Sequence, residues 1–435
     1  MVLIAQHNRL CNNQSGDLLT GIAMRYNTGE GTNMMPTKRG CAAMRIAIVT
    51  ENFLPKLDGV TRTIAMLLEH LQTRGHQAIV FGPEDAPRHY AGARVIGVPG
   101  PPIPFYPELR MLFPNRQMGR RLANFHPDIV HLADPMLLGM VGLYWAHQLA
   151  VPAVAAYHTN IADYMDHFHL GVLKRPIWRY RRFLHNQCAA TLAPSPSTIA
   201  ILTKRKFERV HLWPRGVDSV LFAPDKRDLA WRRSLGIADD VTLLLYVGRL
   251  SHEKNLHVLS AAYRAVARPG VHLMLVGDGP AHDEIQAALA GLPVTFTGYL
   301  RDEKLARAYA SADLFAFPST TETFGQVVQE AMASGLPVVG CQAEGVGDLV
   351  QPGVTGLLAA PNDATAFAEA LRTLLDHPDR RNDMGHAARA WAEARSWDDV
   401  MDDLMALYAE IARAPSHPLD PELDPDDLEG TAISA

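Results

Sequence analysis

The strongest constraint in this chain is an alternation that occurs twice. Short apolar runs (RIAIVT, QAIVF, DIVHL, AVAAYHT and TLAPS) are separated by segments with a helical apolar period, the first being GVTRTIAMLLEHLQTRGH. A second series, TLLLYVG, VHLMLVG, VTFTG, LFAFPS and LPVVG, repeats the arrangement further along. Continuous apolar runs belong to strands buried on both faces, and strands joined through helices run parallel. The chain therefore predicts an α/β protein of two Rossmann-like domains facing each other, joined through the Pro- and Gly-punctuated LWPRGVDSVLFAPD. On this reading residues 44–214 form the first domain, 215–395 the second and 396–413 a C-terminal helix. Residues 1–43, without sustained periodicity, read as a disordered extension, and the acidic, Pro-rich 414–435 as a disordered tail.

Composition narrows the function. The 41 Lys and Arg against 46 Asp and Glu leave a net charge of −5, the wrong sign for a protein that grips nucleic acid through bulk charge. Cys11, Cys41, Cys188 and Cys341 contain no CxxC pair, so neither a disulfide framework nor a zinc site is indicated, and a cytoplasmic setting fits. The uncharged stretch 136–156 matches a membrane span in length, but His147, Gln148 and Pro152 interrupt it, and it parses as a buried helix followed by a strand.

Open parallel sheets bind ligands beyond the carboxyl ends of their strands, so the loops that follow the strands carry the functional reading. In ENFLPKLDGVTRT, Gly59 stands at a helix start between Asp58 and Val60, where a residue without Cβ lets a phosphate or sugar reach main-chain N–H groups; a plain turn glycine is the competing reading. The GxGxxG fingerprint is missing there, which argues against a dinucleotide oxidoreductase. In VGRLSHEKN, Arg249 and Lys254 can converge on one multiply charged anion such as a diphosphate, or simply decorate a solvated loop. VGDGP and FTGYL add glycine backbone at the same rim, with Gly298 and Tyr299 in the latter.

FPSTTETFGQVVQE is the most informative segment. A helix starting near Thr323, Phe324 and Gly325 offers unpaired N–H groups and a positive dipole end to a phosphate. Glu322, before it, can accept from sugar hydroxyls, and Glu330, about two turns along, from a second hydroxylated group such as ribose. A glycosidase acid/base pair is the alternative, disfavoured because the surrounding cations anticipate an anionic ligand. His158, at the end of AVAAYHT, should point into the interdomain cleft as a hydrogen-bond donor or a general acid/base group. Asp163, Asp166, His167 and His169 beyond it match no metal motif.

Taken together, ENFLPKLDGVTRT, YHTN, VGRLSHEKN, GDGP and ETFGQVVQE resemble the GT-B glycosyltransferases of family 4, with similarity running from Met44 to Arg413. YHTN, LWPRGVDSVLF and FTGYL are closest to the branch holding sulfoquinovosyl-diacylglycerol synthases and GDP-mannose-dependent α-mannosyltransferases. The resemblance implies a retaining transfer of a hexose from a UDP- or GDP-linked sugar, needing no metal or other cofactor, with the donor on the second domain and the acceptor on the first. It assigns Arg249 and Lys254 to the leaving diphosphate, Glu322 and His158 to the donor sugar, Glu330 to the ribose, and Gly59 to the diphosphate or acceptor. The amides of Thr323, Phe324 and Gly325 would assist, and the main chain around Gly298 and Tyr299 would help read sugar and base. The leaving phosphate would help deprotonate the acceptor hydroxyl in a front-face displacement. AEGVGDLV departs from the family pattern at Gly345-Val346-Gly347-Asp348.

The acceptor reading rests on LKRPIWRYRRFLH, where Lys174, Arg175, Arg179, Arg181 and Arg182 mix with Trp178 as at an anionic membrane interface. PPIPFYPELRMLF adds aromatics upstream. A peripheral enzyme at the inner membrane face, with a lipid acceptor, is the expectation. Its alternatives are a soluble or polysaccharide acceptor, or a nucleotide-sugar-binding subunit without turnover.

Overall fold

The computed structural model describes residues 43–56, 58–100, 102–103, 106–110, 116–160 and 174–414. In chain order the first half holds β1 (Arg45–Thr50), α1 (Gly59–Thr73), β2 (Gln77–Gly82), β3 (His89–Tyr90), β4 (Ala93–Gly97), β5 (Pro102–Ile103), β6 (Tyr106–Arg110), α2 (Arg116–Phe125), β7 (Ile129–Ala133), α3 (Leu137–Gln148), β8 (Ala153–Ala156), α4 (Lys174–Asn186), β9 (Ala190–Ala193), α5 (Pro196–Lys204) and β10 (Val210–Leu212). The second holds α6 (Leu229–Ser234), β11 (Thr242–Val247), α7 (Leu256–Val266), β12 (Val271–Val276), α8 (His282–Ala288), β13 (Val294–Gly298), α9 (Asp302–Ala310), β14 (Leu314–Phe317), α10 (Gln326–Ala333), β15 (Val338–Cys341), α11 (Val346–Leu349), β16 (Gly356–Ala359), α12 (Ala364–Asp376), α13 (Pro378–Glu393) and α14 (Trp397–Arg413).

Two large sheets result, ordered β10-β9-β8-β7-β1-β2-β4-β3 and β13-β12-β11-β14-β15-β16. All their pairings are parallel except β3 with β4. Strand order reverses beside β1 in the first sheet and beside β11 in the second. Loops leaving the strands on either side of such a reversal diverge and leave a crevice. The loops after β1 and β7, and those after β11 and β14, are therefore the places where the topology makes room for ligands.

Local chemistry fixes where the helices begin. Asp58 caps α1 by accepting from the Thr61 N–H at 2.8 Å, and Gly75 ends it at φ +76°. Met44 through Trp213 supply the first cores, and Val217 through Ala392 the second. The chain then returns to the first domain, where Val400, Met401, Leu404, Met405 and Tyr408 of α14 bury themselves in the core that holds Ile46, Leu67 and Trp213. Burying such side chains contributes roughly 1.5–3 kcal/mol each. Tyr408 Oη lies 2.6 Å from His131 Nδ1, and His70 lies 3.2 Å from Asp398 and 3.0 Å from Asp402. Gly216 sits where the two crossings touch, since a Cβ there would come within 2.4 Å of the Trp397 backbone.

Candidate active site

The second sheet presents its crevice at the ends of β11 and β14. After β11 the chain turns through Gly248 at φ +157°, leaving Arg249 exposed. A short 3-10 turn over His252–Lys254 then aims Lys254 back across the crevice. Its Nζ lies 2.5 Å from Glu322 Oε1, which also accepts from Ser319 Oγ at 2.9 Å. Lys254 and Glu322 thus meet from the two strands that flank the strand-order reversal.

The glycines of VGDGP have a packing role. A Cβ on Gly277 or Gly279 would fall within 2.0 Å of Gly248 O or 2.4 Å of Leu250 O, so both let the β12 loop press against the Arg249 loop. Gly298 has φ +68° with open space at its Cβ position, and the exposed Tyr299 donates its hydroxyl to Asp278 O at 2.8 Å. In AEGVGDLV, Gly345 is fixed by packing: at φ +71°, a Cβ would meet Glu322 O at 2.6 Å and Phe324 N at 2.9 Å. Close backbone approach beneath the Glu322–Phe324 segment requires glycine there.

Gly325, at φ +94°, caps α10. The first-turn N–H groups of such a helix have no partner within it. Thr323 Oγ1 donates to His158 O at 2.8 Å, tying this segment to the first domain, and Phe324 is buried. Glu330 is buried in the second turn of α10. Its Oε1 lies 2.5 Å from Arg62 Nη1 of α1, and its Oε2 accepts from Tyr309 Oη at 3.2 Å.

The first sheet furnishes the opposing wall. Gly59 opens α1 with nothing within 4 Å of its Cβ position. Glu51, just after β1, accepts through Oε1 from the N–H groups of Met136 (2.9 Å), Leu138 (2.9 Å) and Gly139 (3.4 Å) at the start of α3. Burial raises its pKa to about 7, against those hydrogen bonds and with a smaller push from Asp134. Asp134, after β7, pairs with buried Arg181 at 2.5 Å.

His158 follows β8 and is buried. Its Nδ1 lies 2.9 Å from Arg215 Nη2, while its Nε2 is enclosed without a partner among the described residues. Burial, then Arg215, His131 and Arg181, hold the ring well below the ordinary histidine pKa. The ring is neutral at physiological pH, and with Nδ1 facing a guanidinium its proton sits on Nε2. Such a ring is suited to donate a hydrogen bond from Nε2 and poorly suited to take up a proton.

The expected membrane group divides. Arg175 and Arg179 are exposed, and Lys174 and Arg182 half-buried. Arg181 and Trp178 instead point inward, Arg181 onto Asp134 and Thr159 O, and Trp178 stacked against Tyr157. They occupy the inner face of α4, so they pack the domain and do not belong to its exposed surface. Asp163, Asp166, His167 and His169 lie outside the described residues, as does part of PPIPFYPELRMLF. Arg62, Arg215, Glu51 and Tyr309 are site residues that sequence reasoning missed.

Known proteins bear on this arrangement. Residues 57–220 match Glycosyltransferase Family 4 and residues 228–391 match Glycosyl transferases group 1. A GDP-mannose-dependent alpha-mannosyltransferase of Mycolicibacterium smegmatis is 40% identical over 85% of this chain and 98% of its own length. The chain belongs to the group 1 glycosyltransferases. The sulfoquinovosyl transferase SQD2 of Arabidopsis thaliana is 34% identical over 81% of this chain and 71% of its own. The alpha-monoglucosyldiacylglycerol synthase of Streptococcus pneumoniae is 30% identical over 68% and 70%. Among solved structures, sucrose-phosphate synthase from Thermosynechococcus elongatus superposes with a TM-score of 0.71 at 24% identity, over 85% of this chain and 99% of that one. The glycosyltransferase therefore has the GT-B fold and is a hexosyltransferase of the branch that its motifs resemble. No described helix is long and apolar enough to cross a membrane, and no group of three metal-ligating side chains occurs among the described residues.

Proposed function

We propose that this glycosyltransferase transfers a hexose, with retention, from a nucleotide diphosphate sugar to a lipid acceptor, and that GDP-mannose is the first donor to test. The observation that carries the reading is that Lys254 meets Glu322 beside the amino end of α10, a segment that Thr323 ties to His158, with the exposed Arg249 on the same loop as Lys254. Two cations and a helix N-terminus suit a leaving diphosphate without a metal, stabilising charge where it develops. Glu322 and His158 Nε2–H would hold the sugar, and Glu330 the ribose, with Arg62 giving up part of its contact as the ribose arrives. Gly59 leaves room for the diphosphate or acceptor at the start of α1, and the main chain at Gly298 and Tyr299 for the donor. A front-face displacement then asks of the protein only position and charge, the leaving phosphate taking the acceptor proton.

A basic face supports the lipid acceptor. Helix α2 lies on α3, where a Cβ on Gly119 would meet the Trp145 ring at 2.6 Å, and α4 binds α3 through Tyr180 Oη to Met136 O at 2.6 Å. None of the three helices contains Asp or Glu. Arg116 and Arg120 of α2 and Arg175 and Arg179 of α4 are exposed on them, beside exposed Met140, Tyr144 and Phe183. Basic residues near an anionic bilayer contribute about 1 kcal/mol each.

The test is a thermal-shift panel of GDP, UDP, ADP and their sugar conjugates, with and without EDTA, followed by flotation with phosphatidylglycerol vesicles. A ligand at 100 times its Kd adds about 2.7 kcal/mol of stability. Selective stabilisation by one diphosphate family, unaffected by EDTA, and co-flotation are expected. No nucleotide response overturns the donor reading, and failure to float moves the acceptor to a soluble or polysaccharide substrate. Nucleotide binding with no donor turnover would make the chain a non-catalytic binding subunit.

A further inference from the structure

Buried arginines in this protein come in two kinds. Arg181 pairs with Asp134, and Arg232 with Asp313 at 3.2 Å. Arg215 is also buried yet has no carboxylate partner among the described residues. Its Nη1 donates to Trp213 O at 2.8 Å and Pro214 O at 3.1 Å, its guanidinium lies over the Trp213 ring at 4.7 Å, and its Nη2 faces His158 Nδ1 at 2.9 Å. Leaving a buried cation without a counter-ion is costly, so the arrangement calls for a function.

We infer that Arg215 is a positioning residue that fixes His158 as an Nε2–H donor for the donor sugar. A guanidinium has donors only, so the ring nitrogen facing it must be the lone-pair nitrogen. The ring proton is thereby placed on Nε2, which is enclosed and unpartnered among the described residues. An unsatisfied buried donor is a standing demand for an acceptor, and a sugar hydroxyl entering the cleft supplies one. The backbone of Arg215 is itself held by α10: Gln329 Nε2 donates to Arg215 O at 2.9 Å, and Gln326 Nε2 to Gly216 O at 3.0 Å. The helix that carries Glu330 therefore sets the position of the residue that orients His158. Two carbonyls and one ring nitrogen need a fork of donors, which lysine cannot reproduce. Besides Arg215, His131 and Arg181 act on the ring electrostatically, and Arg181 is engaged by Asp134.

This inference rests on the proposed contact of His158 with the donor sugar, and the test separates the two. Histidine-¹⁵N-labelled wild type, Arg215→Met and Arg215→Lys are compared by long-range ¹H–¹⁵N spectra from about pH 5.5 to 8, spanning the ordinary histidine range, with His158→Ala identifying the His158 signals. GDP and GDP-mannose binding are measured by calorimetry on the same proteins. The wild-type ring is expected as a single Nε2–H tautomer that does not titrate. Arg215→Met should give a tautomer mixture and a titration moved up toward the ordinary value of about 6.5. It should also lower GDP-mannose affinity about tenfold relative to GDP, as expected for one hydrogen bond. Arg215→Lys should retain part of the tautomer preference, and it carries the test if the Met variant fails to fold. A variant ring that stays wholly Nε2–H and untitrated overturns the role of Arg215. If His158→Ala leaves the GDP-mannose to GDP ratio unchanged, the sugar contact fails, while the spectra still decide whether Arg215 sets the tautomer.

Discussion

The two sheet edges that face the cleft are furnished in opposite ways. At the edge of the second sheet, Arg249 is exposed, Lys254 and Glu322 form a partly exposed pair, and α10 begins with a left-handed glycine. At the edge of the first, polar side chains are engaged internally: Asp134 by Arg181, Glu51 by three main-chain N–H groups, and the His158 Nδ1 by Arg215. An edge with loosely committed charges can rearrange around an anionic ligand. An edge whose polar side chains are buried and already hydrogen-bonded holds its geometry whether or not a ligand is present. The second sheet's edge is thus built to change its partners on binding, and the first sheet's edge to keep them.

The sharpest way to break that contrast is to remove one cation from each edge. Arg181→Met leaves Asp134 buried and unpaired, and breaking a buried pair costs about 3–5 kcal/mol, so the urea midpoint should fall steeply. An unchanged midpoint would mean that the first sheet's edge is not held by this pair. Lys254→Ala removes a cation that is partly exposed, so stability should change little while turnover falls about 100-fold or more, the scale of losing one transition-state donor. Near-normal turnover with GDP-mannose would remove Lys254 from the diphosphate site.

Legibility follows the same division. Arg249, Lys254, Glu322 and Gly325 stand in loops directly after strands, so the strand pattern alone places them at the crevice. Arg62 and Arg215 acquire meaning only through Glu330 and His158, which are 268 and 57 positions away. No local pattern shows such pairings. Trp178, Arg181 and His185 follow helical spacing and share the buried side of α4, yet an inward arginine becomes intelligible only once Asp134 is seen beside it. Strands β3, β4, β10 and β16 fall outside the two apolar series. Each is short and lies at or beside a sheet edge, where partly exposed positions interrupt the buried run that marks a central strand.

The smallest predicted effect tests whether the first sheet's edge is as settled as it looks. All three N–H groups that meet Glu51 bond to Oε1, which leaves Oε2 able to carry a proton. Its carboxyl is raised from 4.5 to about 7 on folding, chiefly by burial. Between those values the native state binds a proton that the unfolded chain has released, so stability must fall as pH rises through the window and level off above it. Below about 4.5 both states are protonated, and the contribution is fully present. Allowing for water at the partly exposed side chain, the loss is on the order of 2 kcal/mol. Glu51→Gln keeps a carbonyl oxygen for the same three N–H groups and cannot ionise. Urea unfolding at about pH 5 and about pH 8, either side of the folded value, should therefore show a smaller loss for the variant than for the wild type. Equal losses would mean that Glu51 is already ionised in the folded protein at the lower pH, and that the first sheet's edge, like the second's, carries a charge still waiting for a partner.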